Sequence, residues 1–514
     1  MLAKTGLLII SNPKQIAKIL STIESQVKNT LYIQLLSALS DPFGSFYPKS
    51  FTSWPKYSQT ISKIYSQAAH HCNNLDVKVL LSGIKYNIPK IQTQRPIDLI
   101  IFDKPYSSNE IKTFIKSRIQ NITDDHKIVT LDSTEISTIE EETNDHVEVF
   151  KHTVLGGTFD RLHLAHKLLL SEASLRASNK VTIGVTEENM LQSKTLWELI
   201  EPIATRLLNV ENFLKDICPE LEYNIVPIND PFGPAITDPS MEMIVVSQET
   251  IRGGEKINAI RQENGLNELK IVAIELVDEP NPNPIEEVKI SSSTARIRLL
   301  GTLLKPVKPN ENIPHLPYVI GLTGGIASGK SGVSEHLKNL GAHIINCDLL
   351  GHEIYKPGKP CHQQIVDTFG DKVVSNNGEI NRQALGGIVF NNPGEMKKLN
   401  NLVWPAIAEE VQKIIKTCTK KVVVIEAAVL LTAGWENQCH EIWTTVIPRN
   451  EAVIRLQRRN GLTEEQANSR IESLPSNKFY VDSANVVFCT LWPVEYTKEQ
   501  VVKAWGLLEK RMTL

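Results

Sequence analysis

Tyr318-Val319-Ile320-Gly321-Leu322 leads, one threonine later, into Gly324-Gly325-Ile326-Ala327-Ser328-Gly329-Lys330-Ser331. The apolar run predicts a buried strand. The residues after it fit G-x-x-x-x-G-K-S, and Gly332 to Leu340 has helical composition. Strand, glycine loop and helix in that order build a phosphate cradle. Backbone N–H groups wrap the oxygens, Lys330 reaches the outer ones, and Ser331 can ligate Mg2+. Background residue frequencies give roughly 0.02 chance matches in a chain this long, so coincidence does not explain the motif. It fixes an α/β architecture here but specifies neither acceptor nor reaction.

The residues beyond the loop say more. Ala342-His343-Ile344-Ile345-Asn346-Cys347-Asp348 predicts a second strand ending in Asp348, which could polarise an acceptor hydroxyl. Lys421 to Glu426 is an apolar strand ending in an acid, and Glu441 to Pro448 holds another strand. Arg455, Arg458 and Arg459 cluster in one basic helical stretch. Charged segments of that kind can clamp a triphosphate and exclude water; a solvated basic face is the plainer reading.

A second strand-turn-helix lies upstream. Val154-Leu155 ends an apolar strand, Gly156-Gly157-Thr158-Phe159-Asp160 follows, and His163 and His166 open a helical stretch. Glycines allow close backbone approach, a helix N-terminus favours negative charge, and residues three apart share a helix face. The plainer reading is an ordinary crossover with polar helix-start residues. A metal site is disfavoured because no third ligand is in sight. Thr182–Val185 predicts a strand leading to Lys194. Ile244 to Thr250 predicts another, followed by Arg252. The triple serine of Ile290-Ser291-Ser292-Ser293-Thr294-Ala295-Arg296 reads by itself as a loop or a helix N-cap.

The chain has 514 residues, with 55 Lys plus Arg against 58 Asp plus Glu, 41% hydrophobic and 22% charged residues. That excludes a disordered, collagenous or disulfide-miniprotein class. The near-neutral balance provides no field for non-specific nucleic-acid binding, so no nucleic-acid partner is expected. Seven cysteines without a C-x-x-C pair point to a reducing, cytoplasmic setting. The absence of acidic residues before Glu24 leaves room for mitochondrial association, while the absence of arginine there argues against a standard presequence. No apolar run reaches the length of a transmembrane helix.

Residues 1–131 form an N-terminal α/β extension of unknown role. Strands are expected at Leu7–Ile10, Leu31–Leu35, Val77–Leu81 and Ile97–Phe102, helices at Ile16–Ile23 and around Ile111–Ile119, and a loop at Asp41–Pro55. His70-His71-Cys72 reads as structural, because adjacent side chains diverge. Residues 132–150 carry seven acids between Asp132 and Glu148 and read as an acidic linker; 305–316 is a Pro-rich linker. Nucleotide-handling domains are then expected at 151–304 and 317–514.

The middle segment resembles nucleotidyltransferases with the [TH]-x-G-H motif, most closely the phosphopantetheine adenylyltransferase family. Gly156 to Asp160 matches the first-strand signature, His163 to His166 the histidine motif with Ala165 in place of glycine, and Ile290 to Arg296 the I-S-S-[ST]-x-x-[RK] signature. The resemblance implies a Rossmann-like domain in which the phosphate of 4'-phosphopantetheine attacks the α-phosphorus of ATP, releasing pyrophosphate. It makes His166 a donor to the α-phosphate and Thr158 the orienter of the attacking phosphate, beside Gly156, Gly157, Phe159 and His163. Lys194 and Arg252 supply cationic charge, and Ser291, Ser292, Ser293 and Arg296 grip the β- and γ-phosphates.

The C-terminal segment resembles the dephospho-coenzyme A kinase family. Asp348 matches the second aspartate of its D-x-D, with Asn346 at the first; Trp404-Pro405 stands for a His-Pro pair, and Leu474 where many members have Gln. The resemblance implies a P-loop kinase moving the γ-phosphoryl of ATP to the ribose 3'-hydroxyl of dephospho-coenzyme A, with Mg2+, and with Arg455 and Arg459 in an arginine-bearing lid. The order of the two parts behind a long extension resembles the fused coenzyme A synthases of animals. Two rivals stay open on sequence alone: another nucleotidyltransferase–kinase pair, and a binding scaffold with decayed sites.

Overall fold

The computed structural model describes residues 2–36, 54–86, 88, 90–132, 148–389 and 392–512. The expected loop lies outside them up to residue 53, and its last two residues begin a helix, Trp54–His71. Most of the acidic linker, 133–147, also lies outside. The chain forms two compact units, Met1–Ala295 and Arg296–Leu514.

The first unit holds two five-stranded parallel sheets. Strands β1 (Ala3–Ile10), β2 (Val27–Leu35), β3 (Asp76–Val79), β4 (Ile97–Phe102) and β5 (Ile122–Thr130) lie in the order β3-β2-β1-β4-β5. The helix Ile16–Ile23 forms where the apolar spacing places it, burying Ile16, Ile19, Leu20 and Ile23. Helix Ser108–Arg118 is closed by a capping box between Ser107 and Glu110. β5 was not expected. Its Thr-Asp-Asp-His-Lys centre is polar because it is an edge strand with mostly exposed side chains.

The second sheet comprises β6 (Phe150–Gly157), β7 (Ala177–Thr186), β8 (Glu222–Ile228), β9 (Met243–Ser247) and β10 (Lys270–Ile274). Read from β8 its order is β8-β7-β6-β9-β10, the same connectivity as the first sheet. Its central strand runs further than the sequence suggested. Gly156 and Gly157 are not the turn; they pair with Gly184 and Val185 in register. The turn begins at Thr158, and its sharp points are Phe159 (φ 50°) and Arg161 (φ 46°). One apolar core joins both sheets through helices Trp54–His71 and Leu164–Arg176, with Ile64, Tyr65, Ala68, Leu168, Phe213 and Val245 buried together.

The second unit has β11 (Tyr318–Gly324), β12 (His343–Asn346), β13 (Val422–Glu426), β14 (Glu441–Val446) and β15 (Val486–Cys489), in the order β12-β13-β11-β14-β15. Every pairing is parallel. The buried β-branched run Val422–Ile425 and the fully buried Trp443 explain why both faces must be covered by helices. β12 stops at Asn346, so Asp348 sits in the first turn of helix Cys347–Ile354 rather than at the strand end. Asn346 is the reason: its Oδ1 accepts the Leu349 N–H at 3.0 Å and caps that helix.

Among the described residues no helix is long and apolar enough to cross a membrane. All seven cysteines are free thiols.

Candidate phosphate-binding sites

Ligands of open α/β sheets collect where strand connections diverge from the centre, outside the carboxyl ends of the strands. In the second sheet that place lies beyond β6 and its neighbours. His163 is the N-cap of helix Leu164–Arg176, and His166 is one turn in. Their rings stack, with centroids 3.7 Å apart and planes at 18°. Phe159, fully buried, holds the far side of His166 at 5.2 Å. Ser292 ties the late helix Ser292–Leu299 to this turn: its hydroxyl donates to the Asp160 carbonyl at 2.9 Å and stands 3.3 Å from His163 Nε2. Ser291 caps the same helix by accepting the Thr294 N–H at 3.1 Å. Thus Gly156, Gly157, Thr158, Phe159, His163, His166, Ser291 and Ser292 are brought together by two helix starts and one strand end.

Burial pushes the His166 pKa down to about 4; Asp160 opposes that and the Lys194 charge adds to it. The ring is therefore neutral at pH 7. Its buried Nδ1 meets no partner among the described residues. A neutral donor aimed from a helix N-terminus can meet growing phosphate charge without itself losing a proton. Lys194 and Arg252 are exposed, Lys194 in the segment after β7 and Arg252 at the start of helix Ile251–Glu263. Ser293 follows Ser292 in its helix, and Arg296, one turn on, is buried.

One residue of this site escaped the sequence reading. Arg206 is 1% exposed and donates to three carbonyls: Glu201 at 2.8 Å, Thr158 at 2.7 Å and Thr186 at 2.9 Å. It fixes the peptide that presents Thr158. Asp160, fully buried, completes the turn by accepting the Glu201 N–H at 3.0 Å. The signal was present, because Arg206 shares helical spacing with buried Val210, Phe213, Leu214 and Ile217. A cation on a core face has to be satisfied there.

In the second unit, the loop from Gly324 to Lys330 follows β11 directly. Gly324 (φ 144°), Ala327 (φ 58°) and Gly329 (φ 84°) turn its amides inward. A Cβ on Gly329 would come within 2.8 Å of Thr490 Oγ1, so only glycine fits the position and its dihedral. Ser328 is locked by Thr445 at 2.6 Å and by the Gly325 carbonyl at 2.7 Å. Gly325 and Ile326 lie within the same loop. Lys330 folds back on the Gly324 and Gly325 carbonyls at 3.0 and 3.1 Å. Burial pulls its ammonium below the ordinary lysine range, against the carboxylates of Asp348 and Glu426, while the Arg459 charge adds to the lowering. Those groups therefore converge on one place.

Glu426 is the organiser. It is 6% exposed and accepts from Ser331 (2.9 Å), Ser334 (2.8 Å) and Asn346 (3.1 Å). Arg455 is turned onto the loop: it donates to the Ala327 carbonyl at 3.3 Å and to Thr490 Oγ1 at 2.9 Å, and pairs with Glu451. It braces the loop from behind. Arg459, one turn further along helix Arg449–Asn460, is exposed. Among the described residues no cluster of three His, Cys, Asp or Glu is arranged to hold a metal ion by itself. Ser331 and Glu426 nonetheless place hard oxygen donors beside the loop, which suits a cation that takes its other ligands from phosphate and water.

Comparison with known proteins divides along the same lines. A family model described as dephospho-CoA kinase matches residues 318–489, and one described as cytidylyltransferase-like matches residues 154–298. A dephospho-CoA kinase of Carboxydothermus hydrogenoformans is 37% identical over 187 residues, 36% of this chain and 91% of the relative. One of Geobacillus kaustophilus is 37% identical over 202 residues, 38% of this chain and all of the relative. A solved dephospho-CoA kinase of Campylobacter jejuni aligns at 25% identity and a TM-score of 0.31, over 37% of this chain and 97% of that one.

Replacing Arg206 with leucine removes the donor from one buried carbonyl, Thr186, and from two part-buried ones, Thr158 and Glu201, the buried loss alone costing about 1–3 kcal/mol. The unfolding transition of the first unit should move down by at least about 1 kcal/mol in a urea titration, and an unmoved midpoint would refute the bracing role. The His166 ring should titrate near pH 4. Its unfolded value lies higher, so the stability its neutral form contributes is complete above pH 6.5 and drains away as pH falls toward 4. A histidine resonance that disappears in His166→Gln, followed by NMR, should stay put between pH 8 and 5.5.

Proposed function

The chain belongs to the dephospho-CoA kinase family, and from that premise we propose that its two phosphate sites carry out consecutive transfers ending in coenzyme A. In the first unit the phosphate of 4'-phosphopantetheine attacks the α-phosphorus of ATP. The new O–P bond forms as the bond to the β-phosphate oxygen breaks, and pyrophosphate leaves with the electron pair. The attacking phosphate is already ionised at pH 7, so no base is needed. The protein contributes alignment and charge neutralisation. His166 Nε2 donates to the α-phosphate, Thr158 orients the attacking phosphate on the peptide that Arg206 holds, and Lys194 and Arg252 neutralise charge from the exposed rim. Ser291, Ser292 and Ser293 receive the pyrophosphate end. The observation that carries this reading is the neutral, stacked His166 at a helix start, tied through His163 and Ser292 to the second helix start.

In the second unit the ribose 3'-hydroxyl of dephospho-coenzyme A attacks the γ-phosphorus of a second ATP. Asp348 takes up the hydroxyl proton as the new bond forms, and ADP departs. Lys330 swings from the carbonyls it now caps to the β- and γ-oxygens. Ser331 and Glu426 would hold Mg2+, which when bound supplies charge neutralisation between those phosphates. Arg459 lies on the solvent side, where it can close over the triphosphate.

The test is a product profile from the pure chain given phosphopantetheine, ATP and Mg2+. His166→Ala should lower dephospho-coenzyme A formation by about 100- to 1,000-fold and leave phosphorylation of supplied dephospho-coenzyme A intact. Lys330→Ala should do the reverse, so that dephospho-coenzyme A accumulates. Wild-type enzyme that makes neither product from phosphopantetheine would reject the reading.

A further inference from the structure

The first sheet repeats the connectivity of the second, yet its equivalent anion position is filled from within. At the end of β1 the N–H groups of Ser11 and Asn12 donate to Asp103 Oδ2 at 2.6 and 3.0 Å, and the Ser11 hydroxyl joins them at 2.8 Å. Asp103 is 1% exposed. A side-chain carboxylate occupies the amides that a phosphate would use, and the helix that follows, Ile16–Ile23, carries Lys18 in its first turn where the second sheet's helix carries His166. This sheet has the connectivity of the second, and its own Asp103 takes the anion position.

Its charged groups point instead at the second sheet's helices. Lys167, the residue after His166, is 4% exposed, and its ammonium donates to Asp76 Oδ1 at 2.6 Å and to the Val77 carbonyl at 3.0 Å. Asp76 lies 3.4 Å from Lys78, and Lys78 donates to Asp216 at 2.8 Å. Asp216 also accepts from Tyr32 at 2.8 Å and from the Gln94 N–H at 2.9 Å. Burial alone would raise Asp76, but the Lys167 and Lys78 ammoniums outweigh it and hold its carboxyl below the usual range, so it is ionised. The result is an alternating chain, Lys167–Asp76–Lys78–Asp216, buried at every member but Asp76, which is one-third exposed. One end grips the first turn of the helix carrying His163 and His166. The other grips the last turn of helix Ile203–Ile217, which carries Arg206.

Buried ionic chains are poor devices for bulk stability, since apolar residues of equal volume fill such space at lower cost. They do fix geometry, because a charged pair tolerates neither rotation nor slippage. A rotation of helix Leu164–Arg176 that kept its apolar contacts would pull Lys167 off Asp76 and turn His166 out of line. We propose that the N-terminal sheet is a nucleotide-silent duplicate of the catalytic sheet whose Asp76, through Lys167, acts as a positioning residue for His166 in adenylyl transfer. The inference rests on the reading of the first unit as the adenylyl-transfer site.

The experiment uses the full chain. Asp76→Asn strands the Lys167 charge at a cost in folding stability, so the volume-matched double variant D76L/K167M is measured beside it. The double variant should keep its thermal unfolding temperature and its rate on supplied dephospho-coenzyme A. Its kcat for dephospho-coenzyme A formation should drop about 10- to 100-fold, with KM for ATP changed less than threefold. D76E, which retains the charge, should recover part of the loss. A folded double variant with wild-type kcat for adenylyl transfer would overturn the positioning role and leave the proposed function standing. A loss confined to melting temperature in all three variants would likewise reduce the chain of charges to structure and overturn it. Wild-type enzyme unable to adenylylate phosphopantetheine would overturn both.

Discussion

Peptide N–H groups left unpaired at the carboxyl end of a central parallel strand have to meet an acceptor, and what meets them decides what each of the three sheets does. Buried backbone donors are rarely left unsatisfied. At the end of β1 the acceptor is Asp103, and the position is spent. At the end of β11 the loop amides face inward, and the local carboxylate, Glu426, is engaged by Ser331, Ser334 and Asn346. At the end of β6 no carboxylate intrudes on the histidines, because Asp160 is turned to the Glu201 amide and Arg161. The chemistry of the chain thus follows from where three acids, Asp103, Asp160 and Glu426, direct their oxygens.

The second constraint is that an open phosphate site is a strained one. Phe159, Arg161 and Ala327 take left-handed backbone without being glycine, each at the sharp point of a phosphate turn. Such conformations persist only where the surroundings over-determine them. Here Arg206 supplies three bonds to the strand side of one turn, and Arg455 with Thr490 and Ser328 braces the other. Both braces are arginines bound to carbonyls, which leaves the turns' amides to other acceptors. Arginine suits this because its planar fork carries five donors in fixed directions and never loses its charge.

What the sequence made legible follows from which of these contacts are local. The loop from Gly324 to Ser331 is read easily because its amides, its lysine and its serine are consecutive. The histidine pair is read for the same reason, and the apolar runs of β1, β2 and β4 announce themselves by composition. Arg206 is harder, since its partners Thr158 and Thr186 lie 48 and 20 residues away. β5 hides because an edge strand has no apolar run to show. The two glycines after Leu155 mislead: glycine pairs are turn signals, but here β6 carries its ladder through both before turning. Asn346 misleads in another way. Seen as a lost aspartate it suggests weakened chemistry, whereas the fold uses its amide both to cap a helix and to donate to Glu426. An aspartate there would set a second carboxylate against the first.

The N-terminal sheet was opaque for a deeper reason. A sequence reveals a site by the residues that make it, and this sheet's contribution lies in polar groups scattered at Tyr32, Asp76 and Lys78, each unremarked in its own neighbourhood. Their meaning appears only when the sheet is laid against the helix of His166. Two sheets of one connectivity lie in one compact unit, and only in the first does a carboxylate, Asp103, take the amides at the end of the central strand. That makes the pair of Asp76 and the buried Lys167 informative in a way that a fully exposed pair is not: it is costly to keep, and it is placed one residue from the His166 imidazole.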